Sequence, residues 1–447
     1  MGNPRKNSLL PCQIRKLDTC GRANIAQQIC IRQVSAAPPR FWIDTICVPV
    51  SPREVRDSAI QNMRHVHANA SAVLVITKDL MAVPTPASLD ECFVRIYHSG
   101  FFKRLWTMRE GVLADSLHFQ FRDKASAYGH LDFIQSMAES TGALPYSSIV
   151  GRTPIEHIRR LATMLARYDD EPAGVQQFTA DEIEEVFECL WWLMRHRATS
   201  RESDQAICAS IRCNVHLGPV LAAPNEVKMQ AFWRGCKIIP LSVFFASGPK
   251  LAADGMRWAP KALLDHSTWS VPLAPTGANA AVHADGLHLS GIRSGLLVDV
   301  GLPQGSKGAI EIDIGEDDYP LLSVFLDEYR DCPTWSSLQP FWNTVCLLLE
   351  VVPTQGSFAR GVLVSCTSMT SNELLADILE TEGPPLRARW LAHVHIFAQN
   401  RGWISQVTKF PRQYRENGQT LERASIGVTV SSDRVAKIPE TRTWCIY

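Results

Sequence analysis

Two blocks in the N-terminal quarter constrain the fold of this chain more than any other feature. Phe41-Trp-Ile-Asp-Thr-Ile-Cys-Val-Pro49 is an apolar, β-branched run that ends at proline, so it reads as a short buried strand with Asp44 near its exit. In α/β sheets the strand exits are where functional groups gather. Further on, Phe101-Phe-Lys-Arg-Leu-Trp-Thr-Met-Arg-Glu110 reads as a helix start, with Trp106 and Glu110 four residues apart on one face. Together the two blocks mark a candidate site.

The residues between them alternate in type. Ser51-Pro-Arg-Glu54 has the form of a capping box with proline at the first helical position. Val55, Ala59, Met63, Val66 and Ala70 then recur at three and four, which predicts a helix with that stripe buried. Residues 72–77 form a continuous apolar run, the pattern of a central strand. Pro84-Thr-Pro86 breaks the chain before a helix predicted over 103–116 and a strand over 117–121. Strand, helix, strand, helix, strand is the order of a doubly wound parallel sheet.

A chain of 447 residues, 46% hydrophobic and 20% charged, is too long for one core and predicts two or three domains. Its formal net charge of +0 gives no global field toward nucleic acid or acidic membranes. Arg5, Lys6, Arg15, Lys16, Arg22 and Arg32 face only Asp18 near the N-terminus, and a solvated segment accounts for them better than a binding arm. The 13 cysteines are an odd number without a C-x-x-C pair, the nearest two being Cys208 and Cys213. Reduced, mostly buried thiols are expected rather than a disulfide framework or a zinc site. The pairs His65/His67 and His393/His395 lack neighbours of ligand spacing, so no metal is expected. No apolar run reaches the roughly twenty residues that span a bilayer, and no signal core is present, which predicts a cytosolic protein.

The two blocks resemble the fungal heterokaryon-incompatibility (HET) domain, whose strand reads W-I-D-x-(I/L)-C-(I/V) and whose helix reads R-x-W-x-x-x-E. Between them, residues 62–76 are similar to that family's M-x-x-(I/V)-Y-x-x-A-x-x-V-x-V segment, with His67 in place of the tyrosine. The resemblance covers residues 41–122. It implies a TIR-like, flavodoxin-like fold, and in many TIR domains a Trp-x-x-x-Glu supplies the glutamate for NAD cleavage, the spacing of Trp106 and Glu110. The first strand usual in HET sequences is missing ahead of residues 1–12, so an N-terminally truncated product is expected. Such a chain would lack an interior strand and the nucleotide-holding loop after it.

Beyond residue 125 the resemblance loosens. Residues 153–200 read as helical, with Ile155, Ile158, Leu161 and Leu165 on one stripe. A capping box at Thr179-Ala-Asp-Glu182 opens a helix that buries Ile183, Val186, Phe187, Leu190 and Met194. Residues 197–204 resemble the T-S-x-x-x-D turn that follows the HET core in many relatives. From about 285 the pattern becomes β-rich, with strands expected at 287–300, 309–314, 344–352, 360–366, 390–397 and 425–430 and a helix at 373–381. The expected domains are an incomplete HET domain over 1–125, a helical connection over 126–215 and an α+β region over 216–447.

Each candidate residue has two readings. Glu110 is either a carboxylate that stabilises positive charge on a ribose as nicotinamide leaves, or a partner for Arg104 or Arg109. Asp44 either positions a ribose hydroxyl or makes a turn. Arg104 either clamps an anion or bridges to Glu110. Trp42 and Trp106 have the character of core residues at a sheet–helix seam. Cys47 lacks a nearby histidine to activate it. By resemblance the chain is a death effector in non-self recognition, controlled by association with itself and with other incompatibility proteins. It works either as an NAD hydrolase through Glu110, with NAD as substrate and no cofactor, or as an assembly module. An inactive truncated paralogue is the third reading.

Overall fold

The structure is a computed structural model that describes residues 42–43, 47–87, 89–107, 110–111, 114, 116–127, 178–194, 197–264, 278–290, 292, 294–298, 309–312, 321–326, 335–338, 345–350, 358–366, 384–399, 426–430, 435–438 and 443–447. It is a mixed α/β protein that divides into two units, Met1–Val73 with Leu113–Asp115, and Leu74–Val112 with Ser116–Tyr447.

In the first unit, helix α1 (Arg53–Ala68) forms where the three-and-four spacing predicts a helix. Its first backbone bond is accepted by the Pro52 carbonyl from Arg56, so Pro52 is the N-cap and the expected Ser51 capping box is not made. The buried side is also rotated from expectation. Ile60, Met63 and His67 are buried, whereas Val55 is 51% exposed. The His67 ring meets Trp42 edge-on, with centroids 5.2 Å apart and planes at 79°. Cys47 N–H donates to the Ile43 carbonyl at 2.8 Å, and most of the strand expected in the first block lies outside the described residues.

A three-stranded sheet has the order β1 (Val73–Val75), β2 (Leu117–Gln120), β3 (Ala125–Ala127). The strands at β1 and β2 were both expected, but β1 is an edge strand among the described residues and β3 runs antiparallel to β2. Between β1 and β2 in the chain lie α2 (Lys78–Met81), α3 (Leu89–Tyr97) and α4 (Gly100–Lys103). The break at Pro84-Thr-Pro86 is clamped by Asp123, which accepts from Thr85 N at 2.6 Å and Thr85 Oγ1 at 2.9 Å. These bonds hold the Asp123 carboxyl below its ordinary range. Phe101, Phe102 and Phe119 make the core here, with centroids 5.4 to 6.4 Å apart.

Helix α5 (Ala180–Met194) begins with the capping box read from the sequence. Thr179 N donates to Glu182 Oε2 at 2.8 Å, and Glu182 N donates back to Thr179 Oγ1 at 3.4 Å. All five residues assigned to its buried side are buried. Next come α6 (Asp204–Arg212), α7 (Leu217–Ala222), α8 (Lys228–Gly235) and α9 (Leu241–Phe244). They pack around Trp233, which touches Phe187, Phe232 and Trp258 and donates its indole N–H to the Pro260 carbonyl at 2.9 Å.

The β-rich region is one 12-stranded sheet. Its strands are β4 (Ile238–Pro240), β5 (Asn279–His283), β6 (Gly286–Leu289), β7 (Ser294–Val298), β8 (Ala309–Ile312), β9 (Leu321–Leu326), β10 (Val345–Leu349), β11 (Phe358–Ser365), β12 (Leu386–Gln399), β13 (Ile426–Val430), β14 (Val435–Ile438) and β15 (Trp444–Ile446). A short helix, α10 (Trp335–Leu338), precedes β10. Every strand expected from the sequence after residue 285 is present, whereas the helix expected at 373–381 and the stripe from Ile155 to Leu165 lie outside the described residues. The organising strand is β12, paired along one edge with β11. Along the other edge it takes β15 in parallel at 386–388 and β9 antiparallel at 394–399. A Cβ on Gly361 would stand 2.7 Å from Ile396 Cδ1, so glycine permits the close packing of these strands.

Candidate functional site

The expected helix carrying Trp106 and Glu110 is split. Helix α4 stops at Arg104, whose backbone is extended at φ −91 and ψ 135 and pairs in parallel with Ala198. Ala198 N donates to the Lys103 carbonyl at 2.7 Å, and Leu105 N donates to the Ala198 carbonyl at 3.0 Å. Trp106 then lies in a turn, and helical backbone resumes at Thr107 and is again present at Glu110 and Gly111. Drawing Arg104 into a short ladder costs the helix a turn, and the ladder returns two backbone bonds.

Arg197 is at the centre of this arrangement. Its Nε donates to the Leu193 carbonyl at 2.8 Å, and its NH1 donates to the carbonyls of Arg104 at 2.8 Å and Phe101 at 3.3 Å and to Thr107 Oγ1 at 3.2 Å. Thr107 Oγ1 lies in hydrogen-bonding reach of the carbonyls of both Phe101 and Arg104 and donates its one proton to either. The guanidinium carbon lies 5.5 Å from the Phe102 ring centroid. Arg197 is 5% exposed. Burial pushes its guanidinium down to about 10, and the neighbouring Cys208, Glu110 and Tyr97 act against that shift. The cation therefore persists at neutral pH, held by peptide dipoles with the Glu110 carboxylate nearby.

Trp106 is tied to the next helix. Its indole N–H donates to Asp204 Oδ2 at 2.7 Å, and the same oxygen accepts from Thr199 Oγ1 at 3.4 Å. Asp204 opens α6 and is buried. Its neighbour Gln205 is buried as well and accepts at Oε1 from Leu263 N at 2.8 Å and Leu264 N at 3.1 Å. The first turn of α6 thus braces two distant segments at once. Thr199 shapes the turn before it, accepting from Arg201 N and donating to Arg201 O, both at 3.2 Å.

Of the residues singled out from the sequence, Trp106 and Glu110 belong to this cluster. Arg104 enters it through its carbonyl, and its side chain is exposed. Glu110 is half-buried. Asp44 lies outside the described residues. Arg197, Thr107 and Asp204 had no assigned role in the sequence reading. The signal for them was the stretch from Arg197 to Asp204, which places an arginine and an aspartate on either side of a Thr-Ser turn ahead of a helix.

Residues 12–85 match the family model described as heterokaryon incompatibility protein (HET). No curated protein matches the chain. No solved structure matches it either. Among the described residues, no helix is long and apolar enough to cross a membrane.

Proposed function

From a chain whose residues 12–85 are those of a heterokaryon-incompatibility (HET) domain, we propose an effector of fungal non-self recognition that triggers cell death by assembly. In this reading the Trp106/Glu110 segment is a joint. It couples the segment at 101–111 to the helix that opens at Asp204, and the chain signals through self-association and contact with other incompatibility proteins in the cytoplasm. The supporting observation is the 2.7 Å bond from Trp106 to the buried Asp204. A tryptophan held by a carboxylate of its own chain is committed to the fold, and Glu110 beside the Arg197 cation has an electrostatic duty that needs no substrate.

A second reading is favoured by one observation. Glu110 is half-buried rather than enclosed, so its carboxylate keeps access to solvent and can act on a nucleotide in a TIR-like arrangement. There it stabilises the positive charge on the ribose of NAD, with Arg104 and Asp44 as supporting groups.

Expression in a fungal host, with killing and cellular NAD followed together, separates the two. Under the assembly reading the wild type kills without loss of NAD, and Glu110→Gln kills equally well. Loss of NAD that precedes death and disappears in Glu110→Gln at equal protein level makes the chain a hydrolase and overturns the assembly reading.

A further inference from the structure

The hairpin of β5 and β6 gathers groups of another kind. Gly286 opens β6 at φ 150, a conformation that side-chain-bearing residues rarely adopt. A Cβ there would stand 2.4 Å from the Ile446 carbonyl oxygen. Glycine therefore lets the C-terminal strand β15 lie against the hairpin turn. The register then places Cys445 directly opposite His288 on one side of β6, with Ala281 opposite His288 on the other. Residues directly opposite one another share a face, and His283, two residues beyond Ala281, shares it too.

Asp285, in the turn, sends its carboxylate to the same face. Oδ1 lies 3.1 Å from His288 Nε2, and Oδ2 lies 3.6 Å from Cys445 Sγ. One ligand atom from each of Asp285, His288 and Cys445 lies within 4.8 Å of the others. The His283 ring centroid lies 4.2 Å from that of His288, with the two planes tilted at 41°. Cys445 is 2% exposed, whereas the side chains of His288 and Asp285 are 31% and 51% exposed. The group is thus closed below by the sheet and open above.

We propose that Asp285, His288 and Cys445 form a binding site for a zinc-class divalent transition-metal ion. Metal–ligand distances of about 2.0–2.3 Å in a tetrahedral site put ligand atoms about 3.3–3.8 Å apart, close to the 3.1 and 3.6 Å at which Asp285 stands from His288 and Cys445. A sulfur, an imidazole nitrogen and a single carboxylate oxygen suit zinc or cobalt and not magnesium or calcium, which take oxygen sets. The open side leaves room for water as fourth ligand. A nucleophilic cysteine is the competing use of such residues, and the geometry disfavours it. The carboxylate lies against both the imidazole and the thiol, whereas activation needs the imidazole between thiol and acid. The bound ion would staple the C-terminal strand to a hairpin 160 residues earlier in the chain.

The test uses the full chain, reduced and stripped with a chelator, titrated with cobalt as the spectroscopic probe and with zinc in competition. One tightly bound equivalent with a thiolate-to-cobalt charge-transfer band is expected. Cys445→Ser should abolish the band, and His288→Ala and Asp285→Asn should each weaken binding by about tenfold or more. His288→Ala alters a partly exposed side chain, so it carries the test if Cys445→Ser fails to fold. No stoichiometric binding by the wild type, or a band and affinity that His288→Ala leaves unchanged, overturns the proposal.

Discussion

Trp106 donates its indole N–H to Asp204 across 98 residues of sequence, at 2.7 Å. The acceptor is a buried carboxylate, so the bond is charge-assisted and in a setting where neither partner has an easy alternative in water. Around it, Arg197 gathers the carbonyls that the break in the helix at Arg104 leaves without helical donors. The stretch that reads as one helix in the sequence is interrupted at Arg104, and Trp106 in the turn after the break is tied to helix α6.

Arg197→Lys should keep the charge and lose the fork that reaches four acceptors, and Arg197→Met should lose both. A destabilisation of about 2 kcal/mol or more is expected for Met, with Lys recovering part of it. Thermal unfolding of the purified variants measures this, and a melting temperature unchanged in Arg197→Met would show that the guanidinium contacts contribute nothing.

The sequence was most legible where one local rule decides the structure. Thr179 and Glu182 cap α5 as their spacing requires, and the strands after residue 285 lie where apolar β-branched runs occur. Helix α1 was legible as a helix, but its buried side was not, because Val55 and His67 have polarities that contradict their positions. Strand β9 (Leu321–Leu326) is apolar but for Ser323 and escaped notice, and β15 is only three residues long. The Trp106–Asp204 bond could not be read at all. It depends on a separation of 98 residues, and no periodicity encodes a contact of that range. The same holds for Asp285 and Cys445, 160 residues apart.

Glu350 and Arg360 form a bidentate pair at 2.5 and 2.7 Å between β10 and β11, with side chains only 5% and 14% exposed. Removing one partner of so enclosed a pair strands the other charge. Glu350→Ala should cost about 3–5 kcal/mol, and Glu350→Gln, which keeps an acceptor, clearly less. Chemical denaturation followed by circular dichroism checks the order, and equal losses in the two variants would contradict it.

The thiols make a prediction about pH. Burial pushes Cys92 up to about 11, and it raises Cys213, Cys236 and Cys346 as well, with a bond to Cys366 the larger cause for Cys346. The folded chain therefore keeps protons that the unfolded chain releases above the ordinary thiol value of 9.0. With more protons bound in the folded state, stability is full below pH 9 and falls as pH rises toward 11. Unfolding free energies across that range should decline, and serine at Cys92 should flatten part of the decline.

Reactivity follows from the same burial. Among the described cysteines Cys47 is half-buried and the other eight are buried. Brief alkylation of the native protein, read by peptide mass spectrometry, should modify Cys47 well before Cys189, Cys208 or Cys346. Uniform modification of these four would mean that the thiols are not enclosed.

The account stands most directly on a double-mutant cycle of Trp106→Phe and Asp204→Asn, read as amide exchange over residues 197–212. A coupling of about 1.5–3 kcal/mol is predicted, as for a buried hydrogen bond to a charged group. Effects that add to within about 0.5 kcal/mol would show that the two residues do not act together, and the joint on which the functional reading rests would not exist.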